Sequence, residues 1–550
     1  MKLTFRHYAL LGIVAFLLAL AGRTTLPPLD RDEPRYMEAS EQMITSGNYI
    51  DVRFQDKPRY LQPAGIYWLE VASTKISQHI LGPQVLRQTW PYRIPSLIAA
   101  ALIIPLTAWL GCLLFDGITG LLAAGLLMTS TLFVAESHMA TIDTVLLLDI
   151  LSTEILIFLT FKSEKRNTPT PLPIAIGYWV TMGLGLMLKG PVVLIPGLAT
   201  PICLSFLEKN YRWLKGFRPQ WGWLVMFAIV LPWCIAIEIV SHGDFFSKSI
   251  GRNFLGKVAH GQEAHGLPPG FHLAVFALAF WPGSFFTALA LPKIWKNRNL
   301  TSVKFLISWI IPHWLVFEAI ATKLPHYVLP TYPAIAILTA ASLTVWKQMP
   351  LPRWAKFLFS LYGLIWISLG LSFCFAGSIL LYTFEHSFSL TEGLAVIGAT
   401  PLMIGAILLI YRKKHLQAAF CAIGTAIIAQ AGLFLGVIPH LEAVNLSPRV
   451  AQAFETIKPC PESILVSPSY SEPSLVFLAG EKTKLLNIED SAHYIQQNPK
   501  CSLLLIDKKD ISKFNAYMEK SNLTKTTYGS IKGVNYSNGH HLDLTFFYFK

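Results

Sequence analysis

The chain has 550 residues, of which 53% are hydrophobic and 14% charged, and its formal net charge is +13. Its mean hydropathy of +0.47 excludes an ordinary soluble globular protein and favours one that crosses a membrane repeatedly. The basic residues cluster in alternate connections, such as 162–166 and 412–414, as in cytoplasmic loops. The excess charge therefore predicts membrane topology, and it argues against a nucleic-acid partner.

About thirteen apolar stretches, each near the ~20 residues that cross a bilayer, predict a polytopic, mainly α-helical membrane protein. The first stretch resembles the apolar part of a signal peptide but lacks a small-residue cleavage site, so we predict an uncleaved anchor with a cytoplasmic N-terminus. The predicted spans are 8–24, 92–115, 118–137, 141–162, 174–189, 191–207, 222–241, 271–292, 305–321, 327–345, 354–381, 392–411 and 416–438. They define a transmembrane module over residues 1–439.

The long first outer loop, residues 25–91, carries two amphipathic stretches. "EPRYMEASEQMITSG" (33–47) has helical spacing and a glycine stop, and "PAGIYWLEVASTKISQHI" (63–80) has a second apolar face. Both patterns predict helices that lie on the membrane surface rather than cross it.

The tail, residues 440–550, alternates helix-like and strand-like segments, which predicts a small α/β domain. The predicted topology places this domain outside the cytoplasm. Cys460 and Cys501 each precede an apolar strand-like run, and that compartment permits a disulfide between them.

Ionisable residues of several connections converge on the predicted outer face: the cluster 30–36, Asp56 and Lys57, the segment 136–143, Lys189, the loop 241–270 and the segment 322–327. Charge at membrane depth is costly, so such groups mark a substrate cavity or pair with one another. Carboxylates beside lysine and arginine suit an enzyme that activates a hydroxyl and binds a phosphate.

Each of these residues also has a simpler explanation. Asp32 and Glu33 could cap the following helix, whose first turn holds Pro34. Asp143 could cap the fourth span, and Lys189 and Lys323 could extend to lipid headgroups. The outer histidines match no standard metal-binding spacing: His138, His260, His265 and His326. We therefore assign no metal ligand, and a divalent cation beside His265 or Asp32 is the weaker alternative.

An ordered set of short motifs resembles the polyprenyl-phosphate-sugar glycosyltransferases of the GT-C class, which include the lipid A aminoarabinose transferases and the protein O-mannosyltransferases. "DRDEPRYMEASEQMITSGNYI" resembles their first outer loop, and "PAGIYWLE" resembles their motif of a proline followed closely by Tyr-Trp. Four further matches follow in order: "ATIDTVLLL", "LMLKGPVVLIP", "HGLPPGFH" and "TKLPHYVLPTYPAIAIL". The resemblance implies a GT-C fold over residues 30–340.

The resemblance implies three catalytic candidates, Asp32, Glu33 and Asp143. Asp32 would orient or deprotonate the acceptor, and attack would invert the anomeric carbon. Candidates that would bind the donor phosphate or substrate are Arg35, Tyr36, Lys57, Lys189, Arg252, His265, Lys323 and Tyr327.

One motif departs from the family. Aminoarabinose transferases carry Glu-Lys-Pro before the "YW" helix, where this chain has Leu61, Gln62 and Pro63. Either the preceding pair, Asp56 and Lys57, replaces the missing acid and base, or the substrate differs.

The sequence thus predicts an inner-membrane bacterial glycosyltransferase with a periplasmic active site, a polyprenyl-phosphate sugar donor and lipid A or lipopolysaccharide core as acceptor. A protein O-mannosyltransferase-like enzyme is the first alternative. A transporter or flippase of lipid-linked sugars is the second, and it would require charges along a midplane path and two matching halves.

Overall fold

The computed structural model describes residues 3–249, 251, 267–347, 349–350, 352–519, 521 and 523–550. Two predicted site residues, Arg252 and His265, lie outside the described residues.

Helices dominate the chain up to residue 440. In chain order they are α1 (Phe5–Leu20), α2 (Glu33–Ser46), α3 (Gly65–Leu81), α4 (Ile94–Leu114), α5 (Gly117–Met128), α6 (Thr131–Ser137), α7 (Asp143–Lys165), α8 (Leu172–Lys189), α9 (Leu194–Glu208), α10 (Pro219–Ser241), α11 (Asp244–Phe246), α12 (Phe271–Ala279), α13 (Ser284–Lys296), α14 (Thr301–Ala319), α15 (Tyr332–Thr344), α16 (Arg353–Glu385), α17 (Leu390–Tyr411) and α18 (His415–Gly432). Short 3-10 segments lie between several of them, including Pro83–Arg87, Gly190–Val193, Arg212–Phe217 and Pro325–Thr331.

The predicted fold class is confirmed, and each predicted span coincides with one helix or with two consecutive helices. Within the described residues, eight helices are long and apolar enough to cross a membrane, or nine if the bent pair α5 and α6 forms one span. The count of thirteen stays a prediction. The chain is a multi-pass membrane protein.

Burial separates central helices from peripheral ones. Inside the protein, 72% of the apolar window of α7 is buried, compared with 17% for α10. Apolar residues that face outward from a membrane helix contact lipid, so α10 lies at the periphery. Because α7 is central, Asp143 at its first position is held by protein on several sides.

The two helices of the first outer loop have different surroundings. Helix α3 exposes apolar side chains, including Ile76 and Ile80, as expected for a helix at a membrane surface. Most of α2 is instead buried, because it packs against α3 and against a helix of the C-terminal region. The predicted glycine stop is confirmed, since Gly47 ends α2 with a φ of +71°.

Residues 446–549 form a small α/β unit. Its helices are α19 (Leu446–Ile457), α20 (Pro473–Ala479), α21 (Ile488–Gln497) and α22 (Ile511–Met518), and its strands are β3 (Ile464–Val466), β4 (Ser502–Asp507), β5 (Lys525–Val534) and β6 (His541–Phe549). The strand order is β3-β4-β6-β5, with β3 and β4 parallel and the other pairs antiparallel. A Cys460–Cys501 disulfide joins the residues that precede β3 and β4.

Strands β1 (Arg53–Phe54) and β2 (Lys57–Pro58) make a tight antiparallel turn within the first outer loop. This turn reverses the chain immediately before Arg59, so that Arg59 is directed back into the protein, where it is buried. The position of Arg59 is central to the candidate site.

Candidate active site

Asp32 lies at the start of α2, but its carboxylate does not cap that helix. Its side chain makes no capping hydrogen bond within the described part of the chain; it accepts one from Arg35 Nη1 at 2.9 Å instead. The side chain is 50% exposed. A carboxylate that is accessible and held by an arginine is available to a substrate, so capping alone does not account for Asp32.

A buried arginine, Arg59, lies behind Asp32 on a platform of two tyrosines. Its Nε donates to the Tyr67 hydroxyl at 3.1 Å, and its guanidinium carbon lies 5.2 Å from the centre of the Tyr36 ring. The two rings stack with centroids 5.5 Å apart. The platform fixes the orientation of the guanidinium, because the Tyr67 hydroxyl accepts its Nε–H and the face of the Tyr36 ring attracts the cation.

The two arginines control the charge of Asp32. Partial burial raises the pKa of Asp32, but the positive charges of Arg59 and Arg35 outweigh burial, and the pKa falls below its ordinary value. His326 adds to this lowering. Asp32 is therefore ionised at neutral pH.

Glu33, the neighbouring acid, is completely enclosed. Its Oε1 lies 2.7 Å from Arg93 Nε, and both residues are fully buried. Its oxygens also accept from the backbone N–H groups of Leu29 and Ala140. These contacts join the start of α2 to α4 and to the segment before Asp143. Glu33 is therefore placed to fix the position of α2 relative to them.

A second charged group forms around Asp143. Lys189 Nζ donates to Asp143 Oδ1 at 2.5 Å, and His326 lies 3.7 Å from Asp143 Oδ2 and 3.3 Å from Glu136 Oε1. Asp143 is favourably placed at the start of α7 because the helix N-terminus carries partial positive charge. Lys189 ends α8 next to Gly190, whose φ of +63° turns the chain.

The two groups are electrostatically coupled. His326, which pairs with Asp143, also lowers the pKa of Asp32. Burial raises the pKa of Tyr36, and the negative charges of both Asp32 and Asp143 contribute to that shift. The fold thus brings residues from the first outer loop, α7, α8 and the 325–331 segment to one place.

The remaining predicted residues have different placements. Tyr327 belongs to the second group, since Lys189 Nζ lies 5.5 Å from the centre of its ring. Lys57 is exposed on β2. Lys323 is buried and donates to the backbone oxygen of Ile320, just beyond the end of α14.

Sequence reasoning missed Arg59 as a candidate, and it considered His326 only as a metal ligand. Both residues are close to recognised motifs. Arg59 comes two residues after Lys57, and His326 lies within "TKLPHY". No periodicity signals that the 53–58 turn directs Arg59 inward.

Among the described residues, Glu136, Asp143 and His326 form a group that could hold a metal ion, with ligand atoms within 4.8 Å of one another. Asp32 is not part of that group. Lys189 and His326 already pair with Asp143, so its charge is compensated within the chain, and we interpret the group as an ion-pair network.

The membrane helices, the long first outer loop and the small C-terminal sheet define a fold of the GT-C glycosyltransferase type. The crystal structure of ArnT from Cupriavidus metallidurans bound to undecaprenyl phosphate matches with a TM-score of 0.72 over 98% of this chain and 97% of that one, at 16% identity. The archaeal oligosaccharyltransferase AglB from Archaeoglobus fulgidus matches with a TM-score of 0.51 over 98% of this chain and 74% of that one, at 13% identity.

Sequence comparison extends the resemblance. Residues 62–235 match the family model described as dolichyl-phosphate-mannose-protein mannosyltransferase. The undecaprenyl phosphate-alpha-4-amino-4-deoxy-L-arabinose arabinosyl transferase of Yersinia pestis is 26% identical over 340 residues, which cover 61% of this chain and 58% of that protein. The Yersinia enterocolitica protein of the same name is 25% identical over the same shares. The chain therefore matches less than two thirds of these relatives' length, and the predicted resemblance to the GT-C enzymes is confirmed.

Proposed function

We propose that the chain is a bacterial inner-membrane glycosyltransferase that transfers a sugar from a polyprenyl phosphate to an extracytoplasmic acceptor, with inversion at the anomeric carbon. Undecaprenyl phosphate is the proposed carrier, and lipid A or lipopolysaccharide core is the proposed acceptor. The observation that carries the proposal is the accessible, ionised carboxylate of Asp32 between Arg35 and Arg59. The names of the relatives support the class of donor and acceptor.

The cations around the site suit a phosphate leaving group. In the transfer, the acceptor oxygen forms a bond to the anomeric carbon while the bond from that carbon to the phosphate oxygen breaks. Negative charge accumulates on the departing phosphate, and nearby cations stabilise that charge in a site shielded from water. Arg59 and Lys189 are our principal candidates because the protein holds both in fixed orientations.

Asp32 is better suited to orient the acceptor than to retain its proton. A carboxylate with a lowered pKa is a weak base, whereas a phosphate monoester has a second pKa near ~6 and binds a proton more readily. With a hydroxyl acceptor, the proton would pass through the hydrogen bond with Asp32 and end on the departing phosphate. With an acceptor that is itself an ionised phosphate, no proton needs to move.

The proposed topology follows from the distribution of basic residues. With the N-terminus in the cytoplasm, the clusters at 162–166 and 412–414 lie inside, and Asp32 and the C-terminal domain lie in the periplasm. Both substrates would then reach the site from the outer leaflet. Reporter fusions after residues 36 and 327 test this orientation, and a cytoplasmic location for either would contradict the proposal.

Two observations favour different acceptors. The Yersinia relatives are named for aminoarabinose transfer from an undecaprenyl carrier, and the matching family model is described by protein mannosylation. In addition, Leu61 and Gln62 stand where the motif of the aminoarabinose transferases has Glu and Lys. A protein acceptor is therefore the second candidate.

One experiment decides among these functions. Membranes containing the chain are supplied with polyprenyl-phosphate sugars, and lipid A, core oligosaccharide and periplasmic proteins are then analysed by mass spectrometry. A sugar-sized mass increase on lipid A or core supports the proposal, and an increase on protein supports the second candidate. Movement of the lipid-linked sugar across the membrane without transfer would contradict both and favour a transporter.

A further inference from the structure

The segment that carries Asp32 is irregular and depends on external contacts for its conformation. Residues 26–32 form neither helix nor strand. The backbone N–H of Asp32 donates to Asp30 Oδ1 at 2.8 Å, and that of Leu29 donates to Glu33. At the start of the segment, Thr89 and Arg93 donate to the backbone oxygens of Leu26 and Pro27. None of these bonds holds the side chain of Arg31, so it needs a separate restraint.

That restraint comes from the C-terminal domain. Arg31 Nε lies 3.1 Å from Glu472 Oε2, and Glu472 immediately precedes α20. The Glu472 side chain is 3% exposed, whereas that of Arg31 is 50% exposed. Glu472 is thus the fixed member of the pair, and Arg31 is the member that it orients.

Glu472 is itself held by the turn between β5 and β6. Its Oε1 accepts from Asn535 Nδ2 at 3.1 Å and from Ser537 Oγ at 2.5 Å. Because these neutral donors bind one carboxylate oxygen, the other is left for the guanidinium of Arg31. The pairing therefore depends on the folded sheet of the C-terminal domain.

Further contacts between the domain and the first outer loop lie beside this pair. Arg87 Nη1 donates to the Phe477 oxygen at 2.7 Å, and the Phe477 ring packs edge-on against Tyr92. Gln55, between β1 and β2, donates its side-chain amide to the backbone oxygens of Glu481 and Thr483. Since these contacts do not involve Glu472, the domain stays docked when Glu472 alone is changed.

We propose that the C-terminal domain is a positioning element of the transfer site, with Glu472 acting through Arg31 to hold Asp32 in its productive orientation. This inference rests on the proposed glycosyl transfer and adds two positioning residues to it. Displacements of about 1 Å at a reacting group can cost up to about a hundredfold in rate, so a contact one residue away from Asp32 is close enough to matter.

The test uses the full-length purified protein and four variants: Glu472→Gln, Arg31→Gln, the double variant and Arg31→Lys. Each of the first two removes one charge of the pair, and Arg31→Gln acts at a half-exposed position where folding is tolerant. The matched control is Glu455→Gln, which breaks an exposed pair with Lys458 in the same domain.

We expect each neutral single variant to lower kcat at least about tenfold with the donor KM unchanged within about twofold. The kcat of the double variant should be no lower than that of the less active single variant, because both substitutions break the same contact. Arg31→Lys should recover part of the rate, and Glu455→Gln should match the wild type. Normal kcat in the single variants, or independent losses that multiply in the double variant, would overturn the inference.

A second measurement separates this inference from the proposed function. Amide hydrogen exchange of residues 29–33 should become at least about tenfold faster in Glu472→Gln, while α2 beyond its first turn keeps its protection. This readout does not require transfer. If the wild type transfers no sugar, the proposed function fails while exchange still tests the restraint. Unchanged exchange at residues 29–33 would refute the restraint itself.

Discussion

At the start of α2, Asp32 lies between Arg35 and Arg59, whereas two turns further along the same helix Glu38 and Glu41 share a single arginine, Arg87. The pKa of Asp32 is lowered by its two arginines in spite of burial. Burial raises the pKa of Glu38 well above its usual value and that of Glu41 to about 7, and the negative charge of Glu481 adds to both shifts.

The difference shows how one helix can use acidic residues for two purposes. Where cations exceed carboxylates and the side chain is accessible, the carboxylate stays charged and can meet a substrate. Where carboxylates exceed cations and the side chains are buried, protonation is favoured and the residues serve packing. A count of acidic residues along α2 does not distinguish these cases, because the cations come from distant segments.

The largest effect should follow removal of the charge on Asp32. Asp32→Asn keeps the shape of the side chain but loses the negative charge, so transfer should fall by at least about 10²-fold, to the background of the assay. Expression and membrane insertion should be unchanged, because the side chain is half-exposed and does not cap α2. Transfer is measured from a polyprenyl-phosphate sugar in purified membranes, and near-normal turnover would assign Asp32 to a structural role.

The next effect concerns the buried neighbour of Asp32 and is one of stability. Glu33→Gln leaves the fully buried Arg93 without its counter-charge, and breaking a buried ion pair costs about 3–5 kcal/mol. The variant should melt at a markedly lower temperature in detergent. Glu455→Gln, which breaks an exposed pair, should change stability by less than about 1 kcal/mol; equal melting temperatures for the two variants would contradict the positioning assignment.

These two neighbours illustrate what the sequence could and could not predict. The helices were predictable because length and apolarity are local properties. The motifs named Asp32, Arg35, Tyr36, Asp143 and Lys189, which the fold brings to one place, and their roles stay predictions. The burial of Glu33 was not predictable, because its partner Arg93 is 60 residues away. A motif specifies residue types, but the exposure of each depends on contacts between distant segments.

Arg59 and Lys57 give the same lesson for cations. The missing Glu-Lys pair made Lys57 the natural replacement, since it adjoins Asp56 in a similar motif. The short β1–β2 turn instead leaves Lys57 exposed and buries Arg59 beside Tyr36 and Tyr67. Lys57 and Arg59 are only two residues apart, so the turn determines which of the two cations reaches the site. A turn of this size has no strong sequence signal.

A smaller effect should therefore distinguish Arg59 from Lys57. Arg59→Gln removes a charged donor, worth about 1.5–3 kcal/mol or roughly 10- to 100-fold in kcat/KM. It should also raise the pKa of Asp32 towards its ordinary value, so the acid limb of the pH–rate profile should move to higher pH. Lys57→Gln should leave both kcat/KM and the acid limb of the profile unchanged. The pH dependence of kcat/KM checks the prediction, and a larger loss in Lys57→Gln than in Arg59→Gln would reverse the assignment.

The smallest effect tests the other end of the comparison. Because the pKa of Glu41 is about 7 in the folded protein and lower when the chain unfolds, the folded state binds the extra proton. The contribution of Glu41 to stability should therefore fall as pH rises from about 5 to 7 and level off above that range. Glu41→Gln removes one of the two titrating groups, the other being Glu38, and should reduce this slope, whereas Glu455→Gln should preserve it. Melting temperatures recorded between pH 5 and 8 provide the measurement. An unchanged slope in Glu41→Gln would show that α2 does not keep a protonated acid against the C-terminal domain at this position.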